Sequence, residues 1–265
     1  MLATACLLAL VLGGSALVWQ HLVRKWLIGQ PFLEVNEENR SRWRSAPELA
    51  VAYVGLFWLV AHLLPQFSDA STSPRTPLDR STVAASAAFN LGLVLILPFA
   101  LVSGTRSWSE IGLTVSKPLE QLKIGWRGFL AAALPMAISM AVTLPLRSPE
   151  SQHSLLKMLV ESPDVTTVML ITVTAVLSAP LLEELLFRVI LQGWLTTLVP
   201  PSVAISVVAM MFALVHGWRD GLALLPLAFV LGYVFHRRHS YFAVVAIHGL
   251  FNATMLTLQL LNPRN

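Results

Sequence analysis

Eight long apolar runs constrain the fold of this chain more than any other feature of its sequence. They lie near residues 2–22, 47–65, 82–102, 124–146, 165–199, 202–217, 221–236 and 241–261. A helix needs about 20 apolar residues to cross the hydrocarbon core of a bilayer, so most runs are long enough, and the two shortest need tilting or burial within the protein. We therefore expect an all-α fold, a polytopic membrane helix bundle with about eight transmembrane helices.

The composition agrees with a membrane protein that forms one domain. Hydrophobic residues make up 55% of the chain, charged residues make up 12%, and the mean hydropathy is +0.69, which is unlike an ordinary soluble domain. The polar connections 66–81 and 147–164 are rich in Ser, Pro and charge and are predicted to be loops. Because no longer repeat recurs, we expect residues 1–265 to form a single membrane domain.

The first run, 2–22, is predicted to be an extra N-terminal transmembrane helix that the protein retains. No basic residue precedes it, and Arg24 and Lys25 follow at once, which reverses the charge order of a signal peptide. Basic residues also predict orientation, because cytoplasmic connections carry more Lys and Arg. The connections after the first, third and seventh runs are the basic ones, so both termini are predicted to lie outside the cytoplasm. In a bacterium we expect the inner membrane.

The net charge of +4 requires no nucleic-acid partner. Lys and Arg beside the apolar runs account for it, both as orientation signals and as contacts to anionic lipids of the bilayer. Cys6 is the single cysteine, so an internal disulfide and a thiolate metal cluster are both excluded.

The segment APLLEELLFR, residues 179–188, places charge inside one of the most apolar runs. An ionisable residue within a span costs at least about 2.5–3.5 kcal/mol on insertion scales and usually faces the bundle interior. Glu184 and Arg188 are four residues apart in the favourable order for an ion pair within one helix. Glu183 lies about 100° around the axis and has no local partner. Two carboxylates and one arginine thus leave one carboxylate unexplained.

Two later apolar runs carry further polar groups. FALVHG, residues 212–217, puts Phe212 and His216 on one helical face, and HGLFNA, residues 248–253, does the same for His248 and Asn252. A single histidine in a helix is more often a core residue than a catalytic one, and Phe212 is interpreted as packing beside His216. Polar groups that converge in an apolar bundle nevertheless indicate a site.

The chemistry that this set supports is hydrolysis. Glu183 in an apolar site is a suitable general base for a water molecule, which His216 can hold. An imidazole N–H of His248 and a carboxamide N–H of Asn252 can stabilise the negative charge that develops on an attacked carbonyl.

These residues resemble the motifs of the CAAX prenyl protease and bacteriocin-processing (CPBP) family, also called type II CAAX endopeptidases or Abi proteins. That family carries EExxxR, FxxxH and HxxxN in this order on successive membrane helices, and here they read EELLFR, FALVH and HGLFN. The resemblance covers about 165–261, which it identifies as a CPBP-like catalytic core, and the preceding runs show only hydrophobicity.

The resemblance implies an intramembrane endopeptidase with roles for particular residues. Glu183 and His216 would activate water, and His248 and Asn252 would form the oxyanion site. Glu184 and Arg188 match positions that support the site structurally or electrostatically. Eukaryotic members cleave prenylated proteins, but bacterial members carry the same motifs without prenylated hosts, so we expect a membrane-associated protein or peptide as substrate.

Metal dependence stays open at this point. Family members are labelled metalloproteases, and Glu183, His216 and His248 could give a catalytic Zn²⁺ three ligands and leave a position for water. The sequence itself requires no cofactor, and a metal-free mechanism is slightly favoured because coordination would remove the base role of Glu183 and the donor role of His248.

Other functional classes were weighed against the same residues. HExxH, GxSxG and an aspartate pair within the runs are all absent from the sequence. A non-catalytic membrane scaffold or immunity-type protein could use the polar set to bind a partner, and a small transporter should show broken helices in both halves.

One inconsistency remains: counted from the assigned run ends, Glu183 and His216 lie about 24 and 21 Å deep but His248 only about 10 Å.

Overall fold

The computed structural model describes residues 1–35, 79–103, 107–146 and 154–262, and its regular elements in these ranges are helices. In chain order they are α1 (Leu2–Leu27), α2 (Arg80–Val102), α3 (Pro118–Thr143), α4 (Ser154–Glu161), α5 (Val165–Leu195), α6 (Pro201–Val215), α7 (Trp218–Arg238) and α8 (Tyr241–Leu261).

Six of these helices are long and apolar enough to cross a membrane: α1, α2, α3, α5, α7 and α8. Helix α6 is equally apolar but shorter. Seven of the eight predicted runs are therefore helical, and the remaining one, 47–65, lies outside the described residues. The predicted fold class is confirmed: the chain is an integral membrane protein built as a polytopic helix bundle.

The prediction of a loop over 147–164 was wrong for its second half. Residues Ser154–Glu161 form α4, a short amphipathic helix. Its Met158 and Leu159 are buried in an apolar cluster with Val83, Ile171 and Leu256. Ser162 and Pro163 directly follow this helix, and its buried apolar residues Met158 and Leu159 pack on the bundle.

Helix α3 is central, since it packs against α1, α7 and α8. Two glycines allow α8 to approach it closely. A Cβ atom added at Gly125 would lie 2.7 Å from the Ala246 Cβ, and one at Gly128 would lie 2.4 Å from the Ile247 Cδ1. Because Ala246 and Ile247 directly precede His248 in α8, this contact fixes the position of that histidine.

Helix α1 docks on a backbone irregularity in α3. Pro135 lies inside α3 and has no N–H to donate to the carbonyl of Ala131, four residues earlier. The indole Nε1 of Trp19 donates to that carbonyl at 3.0 Å, and the hydroxyl of Ser15, one turn away, accepts from Leu134 N at 3.0 Å. The proline thus creates the polar positions to which α1 binds.

Both ends of the described chain lie at one face of the bundle. Asn262 Nδ2 donates to Thr4 Oγ1 at 3.0 Å, which joins the end of α8 to the beginning of α1. The assignment of this face to the outside of the cytoplasm remains a prediction.

Candidate active site

The two adjacent glutamates lie in α5, whose helical geometry is interrupted twice. Val173–Ser178 and Leu185–Gln192 are π-helical, and the short α-helical segment Ala179–Glu184 lies between them. Wider turns of this kind change the direction of side chains and free backbone carbonyls, and they occur often at functional sites. The sequence patterns predicted a helix here but gave no indication of the π-helical turns.

Glu184 and Arg188 form the ion pair that their spacing predicts. Arg188 Nε lies 3.1 Å from Glu184 Oε2, and both side chains are fully buried. A buried charge is tolerated only when it is paired, so each residue depends on the other.

Glu184 has a second partner that the sequence did not predict. Its Oε1 lies 2.8 Å from His248 Nδ1, across the interface between α5 and α8. Since an ionised carboxylate can only accept, Nδ1 carries the proton and donates it. This bond fixes the ring orientation of His248 and leaves its Nε2 directed toward Glu183.

Glu183 faces both imidazoles. Its Oε2 lies 3.6 Å from His216 Nε2 and 4.0 Å from His248 Nε2. Among the described residues this oxygen has no hydrogen-bond partner, although it is buried. The side chains of Glu183 and His216 are 18% and 23% exposed, whereas Glu184 is inaccessible. The first glutamate is therefore the more accessible of the two carboxylates.

His216 is oriented by the end of its own helix. It follows the last residue of α6, and its Nδ1 lies 2.8 Å from the carbonyl oxygen of Phe212. A carbonyl oxygen only accepts, so Nδ1 carries the proton and the Nε2 of the neutral ring has a lone pair that points at Glu183. Gly217, with φ of 91°, then turns the chain into α7, and a Cβ at Gly221 would lie 1.8 Å from the Ala213 carbonyl oxygen.

Phe212 is fully buried between the polar groups. Its ring centroid lies 4.7 Å from that of His216 and 5.6 Å from that of His248. The guanidinium carbon of Arg188 lies 5.3 Å from the ring centroid of Phe212. These contacts agree with the interpretation of Phe212 as a packing residue, and they extend it to both imidazoles.

Asn252 is bound to the irregular backbone of α5. Its Nδ2 donates to the Ala175 carbonyl oxygen at 2.7 Å. Pro180 has no backbone N–H. In a π-helix this N–H would donate to the carbonyl five residues earlier, which is that of Ala175. Nearby, a Cβ at Gly249 would lie 2.9 Å from the Val176 carbonyl oxygen. One N–H of the Asn252 carboxamide is thus engaged, and within the described ranges the second has no protein partner.

The length of α5 explains why the counted depth of Glu183 exceeds that of His248. With 31 residues this helix is about 46 Å long, well beyond a hydrocarbon core of about 30 Å, so counting from its end overstates the depth of Glu183. Helix α8 does begin at Tyr241, as predicted, and the Tyr241 hydroxyl donates to the Leu181 carbonyl oxygen at 2.7 Å. The first residue of α8 is thereby anchored two residues before Glu183.

Tyr241 and Gln192 are two polar residues near the site that the sequence reasoning missed. Gln192 Nε2 donates to the Gly232 carbonyl oxygen at 2.9 Å and is 1% exposed. The sequence did carry a signal for Gln192, which is its spacing of four residues from Arg188 and eight from Glu184. Tyr241 had no such signal, since a tyrosine at the start of a span is typical of any membrane interface.

The residues suggested as zinc ligands lie close together. Glu183 Oε2 is 3.6 Å from His216 Nε2 and 4.0 Å from His248 Nε2, whereas tetrahedral ligands that bind zinc at about 2.0–2.2 Å lie roughly 3.4 Å from one another. Within the described ranges, no group of three or more His, Cys, Asp or Glu side chains has the arrangement of a metal site.

Comparison with known proteins identifies the part of the chain that carries this site. Residues 165–254 match the family model described as "Type II CAAX prenyl endopeptidase Rce1-like", about a third of the chain. No curated protein and no solved structure matches the chain. The matched segment runs from the first residue of α5 to two residues beyond Asn252, so it contains all three motifs. Residues 165–254 are thus similar to the type II CAAX prenyl endopeptidases that this family model describes.

Proposed function

We propose that the protein is an intramembrane endopeptidase that hydrolyses a peptide bond of a membrane-associated protein or peptide. The observation that carries the proposal is the convergence of Glu183 Oε2 on the Nε2 atoms of His216 and His248, at 3.6 and 4.0 Å. These distances are too long for direct hydrogen bonds and suit a shared small molecule.

Glu183 and His216 activate the attacking water in this mechanism. The Nε2 lone pair of His216 accepts one water hydrogen, while Glu183 Oε2 accepts the other and takes up that proton as the water oxygen attacks the scissile carbonyl. Glu183 then transfers the proton to the leaving amine. The products are a new carboxylate and a new amino terminus.

His248 and Asn252 stabilise the oxyanion that forms on the carbonyl oxygen. Because the Nδ1 proton of His248 is donated to Glu184, an Nε2–H donor requires the imidazolium form. The charges of Glu183, Glu184, Arg188 and protonated His248 then sum to zero, which a buried site favours. The second N–H of Asn252 is the other donor.

No step of this mechanism needs a metal. A Zn²⁺ ion held by Glu183, His216 and His248 would polarise the water, but it would occupy the atoms through which Glu183 acts as base and His248 as donor. The mechanism therefore assigns base and donor roles to the side chains themselves.

We further propose that 165–261 is the catalytic core of a single domain spanning 1–265. The helix predicted at 2–22 and observed as α1 is an addition to this core, and it supports α3 through the Trp19 bond at Pro135. The substrate lies in or at the bilayer, and a prenyl group on it is not required by any residue of the site.

The test is a comparison of protein termini in membranes of cells that carry the wild type or Glu183→Gln at matched expression. New termini that vanish only in the variant would support proteolysis and identify the substrate. Identical termini, together with one intact partner complex recovered from both strains, would favour a non-catalytic scaffold that binds a partner through the same polar core.

A further inference from the structure

A row of polar side chains continues from the candidate active site toward the other end of α5. Glu184, Arg188 and Gln192 follow one another at intervals of four residues, and all three are buried. The residues around them in α5 are apolar and packed into the core. A polar row of this length in an apolar helix requires partners at every step.

Several atoms of this row have no partner in the protein. Among the described residues, the buried side-chain atoms that lack a hydrogen bond are Glu183 Oε2, Arg188 Nη1, Arg188 Nη2 and Gln192 Oε1. All four belong to α5. An unpaired buried donor or acceptor costs about 1–3 kcal/mol, so atoms of this kind are normally served by ordered water.

Two of these atoms lie close to Gly232 on α7. A Cβ atom added at Gly232 would lie 2.9 Å from Gln192 Oε1 and 3.5 Å from Arg188 Nη1. One unpaired acceptor and one unpaired donor therefore lie near each other on this side of α5, and a single water molecule could bridge such a pair.

The row ends next to an open cleft. Gln192 also lines a cleft of about 160 Å³ between the ends of α5 and α7, together with Gly193, Thr196, Pro201, Phe235, His236 and His239. One side of Gln192 thus borders a cleft at the end of the bundle, and the other side borders Arg188, which leads to Glu184 and Glu183.

We propose that this row lines a hydrated path that supplies water, the second substrate of hydrolysis, from the cleft to Glu183. The proposal rests on the proposed function for the use of the water, but the hydration itself does not depend on catalysis. Water suits the row because it can donate to the unpaired Gln192 Oε1 and accept from the unpaired Arg188 Nη1. Gln192 stands at the entrance of the path, and Gly232 lets it pack close to the backbone of α7.

Hydration is tested by cysteine labelling of the full chain in membranes. Cys6, which is exposed, is first replaced by serine. Gln192→Cys is then compared with Ala228→Cys, a fully buried position in an apolar cluster one turn before Gly232 on α7. We expect a small cationic thiol reagent to modify position 192 at least about tenfold faster, because only a hydrated thiol ionises and reacts. Equal rates would overturn the proposal.

The supply of water is tested by turnover. Gly232→Ala presses a methyl group against Gln192 Oε1 and displaces the row, whereas Gly92→Ala adds the same methyl group to helix α2 where no atom lies within 4 Å. We expect a lower kcat with an unchanged KM for Gly232→Ala alone, and equal kcat values for both would contradict the role in supply.

If the wild type cleaves nothing, the proposed function fails while the labelling result still decides hydration. If Gln192→Cys does not accumulate, ordered water at Arg188 and Gln192 in an experimental wild-type structure decides it, and dry atoms there would overturn the proposal.

Discussion

The Nδ1 atom of His248 lies 2.8 Å from Oε1 of Glu184, so the second glutamate of the EE pair orients an imidazole on another helix. The same carboxylate accepts from Arg188 Nε at 3.1 Å. The two adjacent glutamates therefore differ in environment: Glu184 is buried with two donors, and Glu183 is accessible and faces two imidazole nitrogens.

Glu184→Gln should reduce both stability and turnover. A glutamine offers one acceptor oxygen and one NH₂ group, so one of the two donors at this position would face another donor. Loss of a supporting partner of this kind typically costs about 10–100-fold in activity. The measurements are the melting temperature in detergent and the turnover of a membrane-bound substrate. Glu183→Gln is the matched comparison, because it should lose turnover while its melting temperature stays near that of the wild type. A Glu184→Gln protein with wild-type stability would contradict the two-donor role.

The ion pair within α5 was predictable from the sequence, but the bond between helices was not. Glu184 and Arg188 lie on one chain segment at helical spacing, so local geometry was sufficient. The Glu184–His248 bond depends on how closely α8 approaches α3 at Gly125 and Gly128, which no local pattern specifies. The spans themselves were predicted well because the hydrophobicity of a segment long enough to cross a bilayer depends only on its composition.

The irregular parts of α5 could not be predicted for a similar reason. A π-helical turn differs from an α-helical one by a single backbone hydrogen-bond register, and both accept the same apolar sequence. Pro180 leaves the Ala175 carbonyl without a backbone donor, but Asn252, which donates to that carbonyl instead, lies on α8. Sequence reasoning assigned Asn252 a role in the oxyanion site and missed its bond to the Ala175 carbonyl.

Trp19→Phe should weaken the attachment of α1 to α3. The substitution removes the N–H that serves the Ala131 carbonyl left free by Pro135, and an unserved buried carbonyl costs about 1–3 kcal/mol. In a Pro135→Ala background, the backbone N–H of residue 135 can serve Ala131 instead. The loss in melting temperature caused by Trp19→Phe should therefore be smaller in that background. Equal losses in both backgrounds would show that the indole bond does not compensate for the proline.

The stability of the protein should fall as the pH drops below about 6.5, partly because of His239. This residue lies between α7 and α8, and burial lowers the pKa of its imidazole, with His236 adding to the effect. Below pH 6.5 His239 binds a proton in the unfolded chain but stays neutral in the folded protein. Lowering the pH therefore favours unfolding until the pH passes the pKa of His239 in the folded protein. His239 has φ of 48°, a conformation that asparagine also adopts. His239→Asn should therefore lose less melting temperature than the wild type between pH 7.5 and 5.5, and parallel curves would contradict this assignment.

Removal of metal should leave turnover unchanged. The proposed base, Glu183, and the proposed donor, His248, are 4.0 Å apart, and both act through atoms that an ion would occupy. The measurement is turnover after treatment with 1,10-phenanthroline and dialysis against metal-free buffer. Activity that is lost on chelation and restored only by added Zn²⁺ would require the mechanism to be rebuilt around Glu183, His216 and His248 as ligands.

The central claim is that Glu183 is the general base of a peptide hydrolysis. The most direct test uses purified protein in liposomes and a substrate found by the comparison of termini. Glu161→Gln serves as the matched control, since it makes the same change at an exposed glutamate of α4. We predict that Glu183→Gln lowers kcat by about 10²–10⁴-fold, the usual contribution of a general base, while Glu161→Gln cleaves at the wild-type rate. Cleavage by Glu183→Gln at the wild-type rate would contradict the account.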